Sequence, residues 1–286
     1  MWGILNPDLL VAALRLATPI ALVALGETLS ERAGVINVGV EGTAVAGALA
    51  AAMVAFSTRQ PWLGVVAAVG LGGILGLLHA AWTVYLRSDQ VVAGAAVNLL
   101  VAGFALFLTR VLWGWRGTSP SVPTINPWIL VGAGLLFIIV AQGYIFRTPW
   151  GLRLRVVGEH PRAADTAGIN VYRTRTAYSI LNGALCGLAG AFLVNNLGRF
   201  TDGMVGGRGF IGIAAMVVGN YRPVPALLAA YLFGFVDALQ MRLQAYIPSQ
   251  FSLILPYVLT VVVLAGFLGR AHVPKALGKP YVKEGG

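Results

Sequence analysis

The sequence predicts an all-α polytopic membrane protein of about nine transmembrane helices (8–10), with broken or re-entrant segments. Two observations carry this. Apolar residues fill 58% of the 286 positions and charged residues only 10%, whereas a soluble domain carries about a quarter charged residues. The apolar residues also fall in runs of roughly 18 to 25, long enough to cross ~30 Å of hydrocarbon. The ten-residue alternation of a membrane β-barrel is not visible. A net charge of +10 would suit nucleic acid, but basic residues gathered in cytoplasmic loops account for it more simply, so no nucleic-acid partner is expected. The lone Cys186 sits inside an apolar run, which excludes a disulfide framework or a CxxC site. No cleavable signal pattern precedes the first span, because MWGILNPD lacks a basic n-region.

Taken in order, the expected spans are Asp8 to Leu25, Val35 to Phe56, Trp62 to Leu86, Val91 to Leu112 and Trp128 to Phe146. After a basic central stretch come Tyr178 to Leu197, Phe210 to Gly219, Val224 to Leu239 and Leu253 to Leu268. The Phe210 run is short; it either extends back through GMVGGRG as a broken helix or dips in and returns. Counted as a crossing, it makes the number of spans odd and puts the termini on opposite sides. Segments around Arg32, Arg87, Arg147 to Arg175, Arg222 and Arg270 to Lys283 hold thirteen Lys and Arg, against six on the other side, with Arg15 inside the first span. The excess predicts an outer N-terminus and a cytoplasmic C-terminus. The chain then reads as one transmembrane domain over 1–286: N-terminal helices in 8–146, a cytoplasmic loop over 147–177, C-terminal helices in 178–268, and a basic tail from 269 to 286. The stretches GVINVGVEGTAVAGALAA and GGRGFIGIAAMVVGN echo each other faintly, as repeats of broken helices around a transport path do.

The central stretch RVVGEHPRAADTAGINVYRTR does not belong in a bilayer. Within it, Pro161 suits the first turn of a helix. Gly168 suits the left-handed stop, and Ile169 the hydrophobic contact that folds back after it. Between them lie about seven residues, too few to hold a helix alone in water. Ala163, Ala164 and Ala167 line one side. A membrane-lying helix wants Trp, Leu or Phe on its buried face, so the alanine row predicts docking against another protein surface.

GEHPRAADTAGI resembles the coupling-helix motif of permease subunits in ATP-binding-cassette importers of the ribose, branched-chain amino acid and nucleoside group. GETLSERAGVINVGVEG, SDQVVAGAAVNLLVAG and GGRGFIGIAAMVVGN are similar to the nucleoside-type branch, in the expected order along most of the chain. One departure matters: ribose permeases carry a GxDLSxGS-type run where this chain has VINVGVEG, which counts against a simple-sugar cargo. The resemblance implies a type II importer fold in a cell (inner) membrane. It implies a pore of two permease subunits, here a related but different pair, with nucleoside delivered by an extracellular solute-binding protein. ATP and Mg would sit on partner ATPase subunits, so no cofactor is expected on this chain, and the absence of a GxxxxGK[ST] run fits. Ala163, Ala164, Gly168 and Ile169 match the docking motif, with Gly158, Glu159, Pro161 and Ala167 beside them.

Polar residues inside spans usually face a bundle interior or a wet cavity. Glu41 either lines the path or anchors a broken helix; a bridge to Arg15 or bonds from freed backbone N–H groups are the quieter alternatives. Asn37 and Asn98 are candidates for the translocation path or for interhelical hydrogen bonds. Glu27, Glu31 and Arg32 are expected to brace the cytoplasmic corner between the first two spans. Asn195 and Asn196 close an outward helix end, Asp237 has Arg242 as a local partner, and His79 is a packing residue or a proton relay. An ion-coupled secondary transporter would need more mid-membrane carboxylates or histidines than Glu41 and His79 offer. Intramembrane hydrolysis lacks a paired nucleophile and base. No metal site is expected, since His79, His160 and Cys186 are scattered in depth.

Overall fold

The computed structural model describes residues 6–114, 117–244 and 272–283, with scattered positions between 254 and 266. Among them the regular elements are helices: α1 Pro7–Arg32, α2 Val40–Thr58, α3 Pro61–Ala80, α4 Gln90–Trp113, α5 Pro127–Arg147, α6 Pro149–Glu159, α7 Pro161–Thr166, α8 Val171–Leu197, α9 Arg208–Val218 and α10 Pro223–Leu243. A π turn, Ala81–Tyr85, extends α3. An isolated bridge joins Thr118 to Thr201.

Many helix starts follow from local chemistry. Asn6, Asp89, Asn126, Thr148 and Asn170 each accept a backbone N–H of the first turn that follows them. Proline opens α1, α3, α5, α6, α7 and α10, where its missing N–H has no partner to lose. Such caps are worth about 1 kcal/mol each.

Seven helices, α1 to α5, α8 and α10, are long and apolar enough to cross a membrane. The expected run from Leu253 to Leu268 lies largely outside the described residues. The Phe210 run is the half-length helix α9, 11 residues or about 16 Å at 1.5 Å per residue. The segment before it is irregular and turns on Gly203, Gly206 and Gly207, all at positive φ, so no helix runs back through GMVGGRG.

Three boundaries depart from expectation. Helix α1 runs on to Arg32, so Glu27, Glu31 and Arg32 lie in its final turns and not in a connecting corner. Nothing in TLSER breaks a helix, and the stop comes at Gly34, φ 91°. Helix α2 begins at Val40, which puts Glu41 in its first turn instead of two turns in, and leaves residues 34–39 as non-helical chain. Helix α8 begins at Val171, because the Asn170 cap comes before the Tyr178 apolar run, so Arg173 and Arg175 are helical. Helix α6 was not anticipated, although Thr148-Pro149 is a cap followed by a proline at the first helical position.

Helix α8 packs against α1, α2 and α3. Its contact with α3 is backbone to backbone. A methyl on Gly183 would overlap the Gly72 carbonyl oxygen, one on Gly187 the Ala68 carbonyl, and one on Gly76 the Ser179 carbonyl. On the other flank, a methyl on Gly190 would overlap the Ala44 carbonyl of α2. Helices in lipid associate through such small-residue faces, since lipid tails are as apolar as leucine. Elsewhere, Gly234 of α10 lies against Ala13 and Ala17 of α1.

Gly183→Val should therefore separate α3 from α8 and lower stability by about 3 kcal/mol or more. Gly103→Ala, where an added methyl meets nothing within 4 Å, should not lower stability, since alanine is the better helix former. Thermal unfolding of both variants in detergent distinguishes them.

Candidate functional site

The break between α1 and α2 is held by side chains. Residues 33–39 are not helical; the N–H groups of 33–35 still bond to the last turn of α1, and backbone polar groups left bare cost several kcal/mol each in an apolar setting. Ser30 Oγ donates to the Val35 carbonyl at 2.9 Å. Gln90 Oε1 accepts from the Ile36 N–H at 2.7 Å, and His79 Nε2 donates to the Ile36 carbonyl at 2.8 Å. Asn37 Oδ1 accepts from the Gly39 N–H at 3.0 Å. Asn98 acts from α4 like an inserted peptide, accepting from the Gly42 N–H at 2.7 Å and donating to the Val38 carbonyl at 2.9 Å.

Glu41 resolves as the carboxylate held by backbone. Its two oxygens accept from the Gly207 N–H at 2.8 Å and the Gly209 N–H at 2.7 Å. It thus caps α9 from another helix and neutralises the positive end of that helix dipole. The two echoing glycine-rich stretches meet here. Arg15 does not pair with Glu41; it donates to Asn196 Oδ1 at 3.3 Å and lies 5.8 Å from the Trp128 ring centroid. Asp237 pairs with Arg208 at 3.3 Å instead of the expected Arg242, because α9 brings Arg208 to α10. Asn195 clips Ile125 in the loop between α4 and α5 by both its N–H and its carbonyl.

Deeper still is a polar knot. Glu27 is wholly buried in α1 and accepts from Asn182 Nδ2 of α8. Asn182 in turn accepts from Asn37 Nδ2 and from the Cys186 thiol, both at 3.4 Å. Glu31, one turn on, is also buried. Sequence reasoning missed Asn182, a polar residue inside an apolar run, and Gln90, the last residue of the polar stretch RSDQ.

Pro161 and Gly168 bracket α7 as expected. Gly168 has φ 80°, its N–H donates to the Asp165 carbonyl at 2.9 Å, and the Ile169 N–H donates to the Ala164 carbonyl at 2.9 Å. This is the paired-bond stop of a helix ended by a left-handed glycine. The alanine row, however, is split: Ala163 and Ala167 are exposed, whereas Ala164 is buried against Val157, Val171 and Tyr281. Six residues turn 600°, and one face had to pack on the chain itself. Gly158 likewise faces inward, where a methyl would overlap the Arg32 carbonyl. Glu159 Oε2 accepts from the Lys275 N–H at 3.4 Å.

The C-terminal segment lies under this loop. Arg175, 1% exposed, donates to the carbonyls of Ala33 at 3.1 Å, Lys279 at 2.8 Å and Ala276 at 3.4 Å. The Ala276 N–H donates to the Gly158 carbonyl at 2.9 Å, and Lys283 lies 3.8 Å from Asp165. One guanidinium thus joins the end of α1, the start of α8 and the tail. Among the described residues there is no cluster of three metal-ligating side chains.

Residues 9–264 match the family described as branched-chain amino acid transport system / permease component. The chain belongs to that permease family. It is a multi-pass membrane transport subunit and not an enzyme. Guanosine ABC transporter permease protein NupQ of Bacillus subtilis is 36% identical over 95% of each chain. Nucleoside ABC transporter permease protein NupC of Lactococcus lactis is 37% identical over 94% of each. A Haloferax volcanii protein provisionally described as a glucose ABC transporter permease, TsgC13, is 36% identical over 83% of this chain and 78% of its own. B. subtilis also has the more distant guanosine permease NupP, 26% identical over 88% of this chain and 78% of its own. A solved ABC transporter provisionally described as metal-chelate type, in an inward-facing conformation, shares the fold, with TM-score 0.55 and 17% identity over 90% of this chain and 85% of that one.

Two outcomes test the ties. Glu41→Ala should leave two N–H groups of α9 without their acceptor and destabilise the fold by about 2–4 kcal/mol, read as a lowered unfolding midpoint in detergent. Arg175→Met should release the tail, raising the rate of tryptic cleavage after Lys275, at the Lys275–Ala276 bond, at least ~10-fold, since each lost charged hydrogen bond is worth roughly 1.5–3 kcal/mol.

Proposed function

We propose that the chain is one permease subunit of an ATP-driven importer that takes up nucleosides across the cell membrane. The observation that carries this reading is the similarity to two nucleoside-type permeases over nearly the whole of both chains. The similarity to TsgC13 supports a second reading, a simple-sugar cargo. An ion-coupled carrier is disfavoured, because Glu41 and His79 spend their hydrogen bonds on backbone groups.

In the proposed arrangement α7 is the cytoplasmic coupling helix. Its exposed residues Ala163, Ala167 and Gly168 face the ATPase, and Ala164, Ile169 and Gly158 seat it on the permease. ATP and Mg are held by the ATPase, and its closure displaces α7. Force passes through the short Ile169–Asn170 link into α8, and through Tyr281 and Arg175 into the tail and the end of α1. The last turns of α1 are joined to the middle of α8 by Glu27 and Asn182, so the push reaches the break at 33–39 and the half-helix α9. Asn37, Glu41 and Asn98 contribute to the path by fixing that break. One chain offers one α7, and a two-fold ATPase pair needs two. The second subunit is a related but different permease, a reading supported by the coexistence of NupQ and NupP in one organism. A solute-binding protein delivers cargo at the outer face, and the N-terminus lies outside with the C-terminus in the cytoplasm.

Uptake of labelled nucleoside and labelled glucose by cells expressing the chain with its ATPase, second permease and binding protein tests the cargo. Nucleoside uptake is expected; glucose uptake alone would replace the reading. Ala163→Arg, at an exposed position, should leave insertion intact and cut ATP-dependent uptake at least ~10-fold, equivalent to about 1.4 kcal/mol. Uptake at the wild-type rate by that variant would remove α7 from coupling. Cysteines placed between Pro120 and Asn126 should react with an impermeant reagent in intact cells, and cysteines at Arg162 or Lys279 only after permeabilisation.

A further inference from the structure

Three arginines converge on one phenylalanine at the end of the bundle that carries α6 and α7. The guanidinium carbons of Arg32, Arg155 and Arg222 lie 5.0, 5.5 and 5.6 Å from the centroid of the Phe146 ring. They come from the end of α1, from α6 and from the turn before α10, so only the tertiary structure brings them together. Arg32 donates Nε to the Tyr221 carbonyl. Among the described residues, no carboxylate reaches ion-pair distance of any of the three. Glu159, the acid on the same helix as Arg155, accepts from the Lys275 N–H and lies near Arg32 without reaching ion-pair distance. Arg155 Nε is buried with no hydrogen-bond partner. The aromatic face and the Glu159 carboxylate offset part of the mutual repulsion, but three cations around one ring exceed one carboxylate beyond ion-pair distance, and a buried donor stays unmet.

We propose that Arg32, Arg155 and Arg222 bind the phosphate of an anionic phospholipid headgroup. Guanidinium forks match phosphate oxygens with paired hydrogen bonds. A cluster of three charges favours a doubly charged headgroup such as cardiolipin over a zwitterionic one. The surroundings select a lipid over an acidic protein partner. Helix α6 beside the cluster exposes Trp150 (61%) and Leu152 (54%), and Arg153 stacks 4.6 Å over the Trp150 ring. Exposed Trp and Leu with flanking Arg on a short helix are the marks of a segment lying in the headgroup layer. Phe146 forms the apolar floor and the three guanidiniums the rim. The site is separate from the exposed face of α7 and does not depend on the identity of the cargo.

Native mass measurement of the complete transporter in detergent, titrated with cardiolipin or phosphatidylcholine, tests the site. The wild type should retain cardiolipin preferentially. Arg222→Gln, at the most exposed of the three, should weaken that retention about fivefold, and Arg155→Gln with Arg222→Gln about 25-fold, following the roughly fivefold effect of each basic residue near an anionic surface. Arg199→Gln, remote in the loop after α8, should change nothing. An unfolding midpoint in detergent, measured beside each titration, shows that the variants are folded. Equal retention of both lipids by the wild type would overturn the proposal, as would a folded double variant that keeps its cardiolipin preference. Complete displacement of cardiolipin by millimolar inorganic phosphate would assign the site to a soluble anion. Loss of the ATPase from the Arg222→Gln assembly with lipid preference intact would make the cluster a protein contact, also overturning it.

Discussion

The structure depends on side chains completing the hydrogen bonds of interrupted backbone. An apolar bundle tolerates broken helices only where the freed N–H and C=O groups find partners inside the protein. Here the segment between α1 and α2 draws on Ser30, Asn37, His79, Gln90 and Asn98, and the start of α9 draws on Glu41. Most polar residues that looked like candidate cargo ligands are engaged in this way. Their chemistry goes into geometry: they fix two breaks against each other, at the point where α2 and α9 begin.

Helix α8 is the spine on which this arrangement is assembled. Gly183 and Gly187 bring it onto α3 and Gly190 onto α2, close enough that backbone meets backbone. Asn182, on the same helix, reaches Glu27 of α1. Its first turns carry Arg175, which gathers the tail and the end of α1. One rigid element therefore links the exposed α7 loop to the interior breaks. That continuity gives the proposed coupling a mechanical route without any long-range rearrangement of side chains.

The loop below the bundle shows how a short helix becomes usable. Six residues have too little hydrogen bonding to persist alone. Helix α7 is held by the bond pair at its Gly168 stop, by Ala164 seated on Val157, Val171 and Tyr281, and by Lys283 beside Asp165. The tail therefore supports the helix from beneath and leaves Ala163 and Ala167 free on the outer side.

Residue order alone determined much of this protein. Apolar run length marked the seven helices that are long enough to cross a membrane, because hydrocarbon thickness sets helix length. Caps such as Asn126-Pro127 and Asn170 mark helix starts, and Pro161 with Gly168 delimits α7, because these are local backbone effects. Family resemblance was legible in GEHPRAADTAGI and GETLSERAGVINVGVEG for the same reason: contiguous motifs survive in sequence. Partner choice was not legible. Whether Glu41 met Arg15 or the Gly207 and Gly209 N–H groups, and whether Asp237 met Arg242 or Arg208, turned on which helices pack together. The inward turn of Ala164 needed Tyr281, far along the chain, and Arg32, Arg155 and Arg222 meet at Phe146 only once α1, α5, α6 and α10 are packed. Hydrophobic pattern and capping act within a few residues, whereas hydrogen-bond and charge pairing is decided by separations in space that the order of residues does not encode locally.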